Sequence, residues 1–137
     1  MKYLTPVLMM VIAVGLLFTA IAVSKRTTPV ATAEEAAPPV YFAGGCFWGV
    51  EHMMSMVPGV IEAKSGYAQG TMENPDYRTV VSGTTGHRET VEVRYNPEMV
   101  TLTELVELFF SAIDPTVENR QGNDVGSQYQ TGVYYTN

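Results

Sequence analysis

Thiol, base and imidazole are all scarce in this chain. Its 137 residues include one cysteine, two histidines, one tryptophan and eight lysines and arginines against fourteen acids, for a net charge of −6. One cysteine excludes an internal disulfide framework. It leaves Cys46 as a partner for another molecule, a reactive group or a small buried apolar side chain. The shortage of base excludes the cationic face that nucleic acid requires. The acids are dispersed through the second half without long runs, as on a solvated surface. There is no CxxC, HExxH, P-loop or dinucleotide fingerprint, and no internal repeat.

Long apolar runs are also absent, with one exception at the start. Residues 3–24, "YLTPVLMMVIAVGLLFTAIAVS", lie between Lys2 and the pair Lys25–Arg26. Ala20-Ile21-Ala22 has the small-x-small form of a signal cleavage site, while about 20 apolar residues also suffice to span a bilayer. Residues 1–23 are therefore expected to be a signal peptide or a single-span anchor, and the folded part to be exported, periplasmic or extracellular. Residues 24–38, small, polar and proline-bearing, read as a flexible linker. That leaves residues 39–137 as one domain, touching a membrane only through the N-terminal segment.

Within that domain Val40–Gly45 reads as a strand ending in glycines. Val50, Met53, Met54 and Val57 follow at helical spacing until Pro58-Gly59. Val60–Ala68 reads as a second strand, and "QGTMENPDY" as a loop. "RETVEVRYNP" alternates most cleanly, with Val91, Val93 and Tyr95 on one side and Thr90, Glu92 and Arg94 on the other. Thr101 and Glu104 predict a capping box, ahead of an apolar stripe of Leu102, Leu105, Val106 and Phe109. A polar loop then leads to a last strand carrying Tyr129, Thr131, Val133 and Tyr135 on one side. The order β-α-β-β-α-β predicts an α+β two-layer sandwich of ferredoxin-like topology, with both helices on one face of a mixed sheet. Function does not follow from that fold.

The chemistry is expected at "AGGCFWGVEH". Cys46 stands where strand becomes helix. The thiolate is the reactive form of cysteine, and a helix N-terminus favours it through its free N–H groups. Glu89 shares strand parity with Val91 and Val93, so its carboxyl points to the apolar side, where burial favours the protonated acid. Phe47 and Trp48 could line an apolar pocket beside the thiol. Tyr77 and Tyr129, in or beside polar loops, could donate to a developing oxyanion. "HMMSM" offers soft ligands for copper(I), but Met53 and Met54 fall on the apolar stripe and are expected in the core. His87, after a glycine in a turn, is expected at the surface. A hydrolase pairing Cys46 with His52 or His87 has no oxyanion-hole signature to support it.

"GGCFWG", "NPDY", "GHRETV" and "RQGNDVGSQY", in this order and spacing, closely resemble the A-type peptide methionine sulfoxide reductases, from about Val40 to Asn137. The resemblance implies a peptide-methionine (S)-S-oxide reductase that repairs oxidised methionine, free or in proteins, through a cysteine sulfenic acid. It implies Cys46 as nucleophile, Glu89 as proton donor, and Tyr77 and Tyr129 as hydrogen-bond donors to the sulfoxide oxygen. Phe47 and Trp48 would hold the substrate methyl group, and Asp124 would shape and polarise the site. No prosthetic cofactor or metal is implied; the electrons come from a thioredoxin-like protein or a small thiol, and the enzyme is expected to be a monomer.

Relatives commonly carry a second, resolving cysteine. This chain has none, and Val81 stands where many relatives have cysteine. Either an external thiol reduces Cys46 directly, or the resolving residue belongs to further sequence, since relatives continue past "YYTN". The alternative from another class is a catalytically weak sulfoxide-binding or thiol-sensing domain.

Overall fold

A computed structural model describes residues 36–136; the expected leader and most of the linker lie outside the described residues. The first strand, β1 (Val40–Ala43), runs into α1 (Phe47–Ser55). β2 (Val60–Ala68), a short α2 (Tyr77–Val81), β3 (Arg88–Tyr95) and α3 (Leu102–Ala112) follow. The chain closes with a small hairpin of β4 (Arg120–Gln121) and β5 (Asp124–Val125), a 3-10 turn at Ser127–Tyr129, and β6 (Gly132–Tyr135).

The main sheet has the order β2-β3-β1-β6. This is the ferredoxin-like arrangement, in which β1 and β3 lie centrally. Every neighbouring pair is antiparallel, so the expected mixed sheet is refined to an antiparallel one. Register sets the two faces. Val40 lies opposite Val93 and Phe42 opposite Val91, which places four apolar side chains on one side. Alternation along the strands sends Tyr41 and Glu92 to the other side.

Helices α1 and α3 cover the apolar face. Phe47, Val50 and Met54 of α1 and Leu105 and Phe109 of α3 join Val40, Phe42, Val91 and Val93 in one buried cluster. The rings of Phe42 and Phe109 meet at 5.1 Å. Met54 is fully buried and Met53 packs against the cluster, as their helical spacing predicts. Among the described residues no group of three or more His, Cys, Asp or Glu side chains could hold a metal ion. Nor, among them, is any helix long and apolar enough to cross a membrane.

Helix α3 starts at the predicted box: Glu104 N–H donates to Thr101 Oγ1 at 3.2 Å, and Thr101 N–H donates back to Glu104 Oε2 at 2.8 Å. Leu102, expected in the apolar stripe, is exposed. As the first residue of the helix it lies on the turn that precedes the packed face. Three other expectations are corrected. A second capping box, Asp76 with Thr79, makes Tyr77 the first residue of a helix where a loop was expected. Tyr129 lies in the 3-10 turn, because the last strand begins only at Gly132. His87 is buried, its ring filling the space that a Cβ at Gly70 would occupy.

Candidate active site

Cys46 is the N-cap of α1 and its thiol makes no capping hydrogen bond. Two bare residues set it there. Gly44 lets the ring of Phe109 approach to where a side chain would begin, since a Cβ would lie 2.9 Å from it. Gly45 has φ +71°, in the left-handed region that glycine enters without strain, and a Cβ there would meet Gln121 at 2.9 Å. The Gly45 N–H donates to the Tyr129 carbonyl at 3.2 Å, which ties the turn before the thiol to the 3-10 turn. Cys46 is half-buried, between core and solvent.

The first N–H groups of a helix lack partners within it. In α1 the Phe47 N–H finds one across the sheet: it donates to Glu89 Oε2 at 3.1 Å. Glu89, on the inner face of β3, is 2 % exposed. Burial pushes its carboxyl above the ordinary glutamate range. The Phe47 N–H opposes that rise, and the negative charge of Asp124 adds to it. The most buried acid of the fold is thereby hydrogen-bonded to the residue after the thiol.

Aromatic side chains close one flank. Phe47 is buried, while Trp48 is 60 % and Tyr77 46 % exposed. Tyr77 stacks on Trp48 at 5.9 Å and 20°, and Phe47 meets Trp48 at 5.4 Å. The Asp76–Thr79 box brings Tyr77 here by starting α2 at that residue. Burial, with the charge of Glu89 next in weight, raises the pKa of Tyr129; the Gln128 side chain acts in the opposite direction. The phenol therefore stays protonated, and a donor, at neutral pH. On the other flank a cavity of about 280 Å³ opens on Cys46, lined also by Gly45, Val50, Met53, Ile113 and Asp124. A larger cavity, about 550 Å³, lies on the outer face of the sheet among Tyr41, Glu62, Lys64 and Arg94, and holds none of the expected site residues.

All seven sequence-predicted residues thus gather at one end of the sheet. Cys46, Phe47 and Trp48 arrive together on α1, Glu89 by the Phe47 bond, Tyr77 by stacking, Tyr129 by the Gly45 bond, and Asp124 through the cavity. Sequence reasoning missed Tyr67. It pairs with Glu89 across β2 and β3, so both side chains share the inner face, and its ring meets Phe47 at 5.8 Å. Burial, followed by the charge of Glu89, raises its pKa as well. The alternation of Ala63, Ser65 and Tyr67 along β2 carries that signal, weakened by the polar and small residues in it.

The described residues thus form a ferredoxin-like α+β domain with one thiol at a helix N-terminus, a buried carboxyl hydrogen-bonded to the next residue and aromatic rings alongside. The chain belongs to the peptide methionine sulfoxide reductase family, whose model matches residues 39–137. It is 54 % identical over 96 residues to peptide methionine sulfoxide reductase MsrA of Clostridium botulinum (strain Okra / Type B1), covering 70 % of this chain and 61 % of that protein. To peptide methionine sulfoxide reductase A3 of Arabidopsis thaliana it is 54 % identical over 94 residues, covering 69 % and 46 %. Among solved structures, methionine sulfoxide reductase A of Corynebacterium diphtheriae superposes with a TM-score of 0.71 at 43 % identity, covering 73 % of this chain and 47 % of that one. Reduced Mxr1 from Saccharomyces cerevisiae gives a TM-score of 0.69 at 37 % identity, covering 75 % and 61 %. The chain thus spans less than two thirds of the length of these relatives.

Proposed function

We propose that this domain reduces the S-epimer of methionine sulfoxide, free or within proteins, to methionine. The observation that carries the reading is the buried Glu89 carboxyl held on the backbone of the residue after Cys46. Its two oxygens divide the work. Oε2 accepts from Phe47 N–H and is fixed; the other oxygen is left to carry the proton that burial keeps on the acid.

The Cys46 thiolate attacks the sulfoxide sulfur while Glu89 gives its proton to the sulfoxide oxygen. Tyr77 and Tyr129 donate hydrogen bonds to that oxygen as charge builds on it. Phe47 and Trp48 hold the methyl group by apolar contact and so fix which epimer presents its oxygen to Glu89. Asp124 keeps the field at Glu89 negative, which favours the protonated acid. The attack joins the two sulfurs; that bond and the sulfoxide S–O bond then break as the hydroxyl passes to Cys46, leaving an electron pair on the substrate sulfur. The substrate sulfur is reduced by two electrons to a thioether, and the thiol is oxidised to sulfenic acid. A thiol then attacks Cys46, expelling the oxygen as water and forming a mixed disulfide, and a second thiol frees Cys46. A thioredoxin-like protein or a small thiol supplies both, and the enzyme acts as a monomer. The apolar run at residues 3–24 supports an exported enzyme, secreted or anchored, and fractionation of cells expressing the full chain tests that placement.

The test of the activity is a single turnover. One equivalent of S-sulfoxide without reductant should yield one methionine per chain and a mass gain of one oxygen confined to Cys46. The R-epimer should yield none. Binding of the sulfoxide with neither product would overturn the reading in favour of a sensing domain.

A further inference from the structure

The chemistry above leaves the buried polar side chains of Thr85, His87, Thr90, Asn96 and Gln128 without a role. Gln128 is 4 % exposed and sits in the 3-10 turn immediately before Tyr129. Its Nε2 donates to the carbonyl of Val81, the last residue of α2, at 3.2 Å. Terminal helix carbonyls have no partner in the helix, so this amide supplies one from a segment 47 residues away. The turn is shaped to seat it. Gly126 has φ +147°, and a Cβ there would lie 2.2 Å from Gln128 Oε1 and 2.7 Å from Nε2. Gly83, just beyond α2, flanks the same oxygen, which finds no partner among the described residues.

The placement matters because α2 is only five residues long and Tyr77 is its first. Holding its last residue holds the whole helix, and with it the ring stacked on Trp48. The other end of the link is the turn that carries Tyr129 and accepts the Gly45 N–H before the thiol. We propose that Gln128 is a positioning residue: its amide clamps α2 to the 127–129 turn and so fixes Tyr77 and Tyr129 relative to each other and to Cys46. The proposal rests on the activity assigned above, in which both phenols serve one oxygen.

Gln128→Met keeps the side-chain volume and removes the donor. In the full chain it should slow the first turnover at saturating S-sulfoxide roughly tenfold, with sulfoxide affinity within about twofold, because misplaced hydroxyls fail mainly in the transition state. In a Tyr77→Phe/Tyr129→Phe background the same substitution should cost less than about twofold, since there are no hydroxyls left to place. Trp48, the only tryptophan, should change its emission as Tyr77 leaves its ring. Gln128→Leu, which likewise has no donor, should reproduce these effects and replaces the Met variant if that one does not fold. An equal loss in both backgrounds, an unchanged rate or an unchanged Trp48 emission would overturn the clamp. The emission arm needs no turnover. A wild-type chain that reduces no sulfoxide therefore counts against the activity, and the clamp is still decided by the fluorescence.

Discussion

The inner face of β3 reads Glu89, Val91, Val93, Tyr95, and its two ends do different work. At the Tyr95 end the side chain packs among apolar neighbours: Tyr95 and Val100 are buried, with Val60 against the same core. At the Glu89 end an acid is buried as deeply as the valines, with Phe47 N–H as its hydrogen-bond donor. An unpaired polar group in such a place costs stability, and a charge costs far more. A fold that needed only a core would continue the valines. The acid is kept where α1 begins, and in the function proposed above the stability given up there serves proton transfer.

Cys46→Ser breaks the comparison most completely. The variant keeps the size and position of the group but has no nucleophilic sulfur, so single-turnover methionine release should be abolished; measurable release would remove Cys46 from the reaction. Glu89→Gln comes next and should move two quantities in opposite directions. Methionine release should fall by roughly 10²–10⁴-fold, the usual worth of a positioned acid, while alkylation of Cys46 continues. Stability should rise with pH relative to wild type. Glu89 has a folded pKa above its ordinary 4.5, so its contribution is complete below that value and is lost as pH climbs through the raised one. Glutamine cannot ionise and its Oε1 can still accept from Phe47. Melting curves at pH 4 and pH 7 should show the variant gaining on wild type at the higher pH; a constant gap would mean that Glu89 is not held protonated by burial.

Much of this was legible in the sequence because period and parity are local. The alternation from Glu89 to Tyr95 fixes which side chains turn inward, and Thr101 with Glu104 fixes where α3 begins. What was not legible depends on distance. His87 looks like a turn residue, but it is buried, with Gly70 packed against its ring. Tyr67 joins the site through pairing between β2 and β3, and Gln128 through a bond to a helix 47 residues away. The start of α2 was legible in principle, since Asp76 and Thr79 have the spacing of a box; the surrounding Asn, Pro and Gly outweighed it. Of the site residues, Cys46, Glu89, Phe47, Trp48, Tyr77 and Tyr129 were candidates by their own chemistry and Asp124 by motif resemblance alone; their meeting rests on the Phe47–Glu89 bond, the Tyr77–Trp48 stack and the Gly45–Tyr129 bond.

The remaining tests lie away from the thiol and sharpen the contrast between the ends. Leu105→Ala removes a fully buried side chain from α3 and should cost about 2–5 kcal/mol in denaturant unfolding, the range for such cavities. At temperatures where the variant is folded, methionine release per molecule should stay within about threefold, because the packing around Leu105 acts on the fold and not on the transition state. The smallest effect belongs to the outer face of the same strand. Arg94 donates to Glu92 at 2.9 Å and lies 3.9 Å from Glu62, with half its side chain in water. Exposed pairs of this kind are screened and cost side-chain entropy to hold, so Arg94→Ala should shift stability by no more than about 1 kcal/mol, and less as salt is added. Arg94 and Glu89 sit on one strand five positions apart, on opposite faces. If the outer-face change moved the turnover rate as strongly as the inner one, burial would not be what separates them, and the division of labour along β3 would fail.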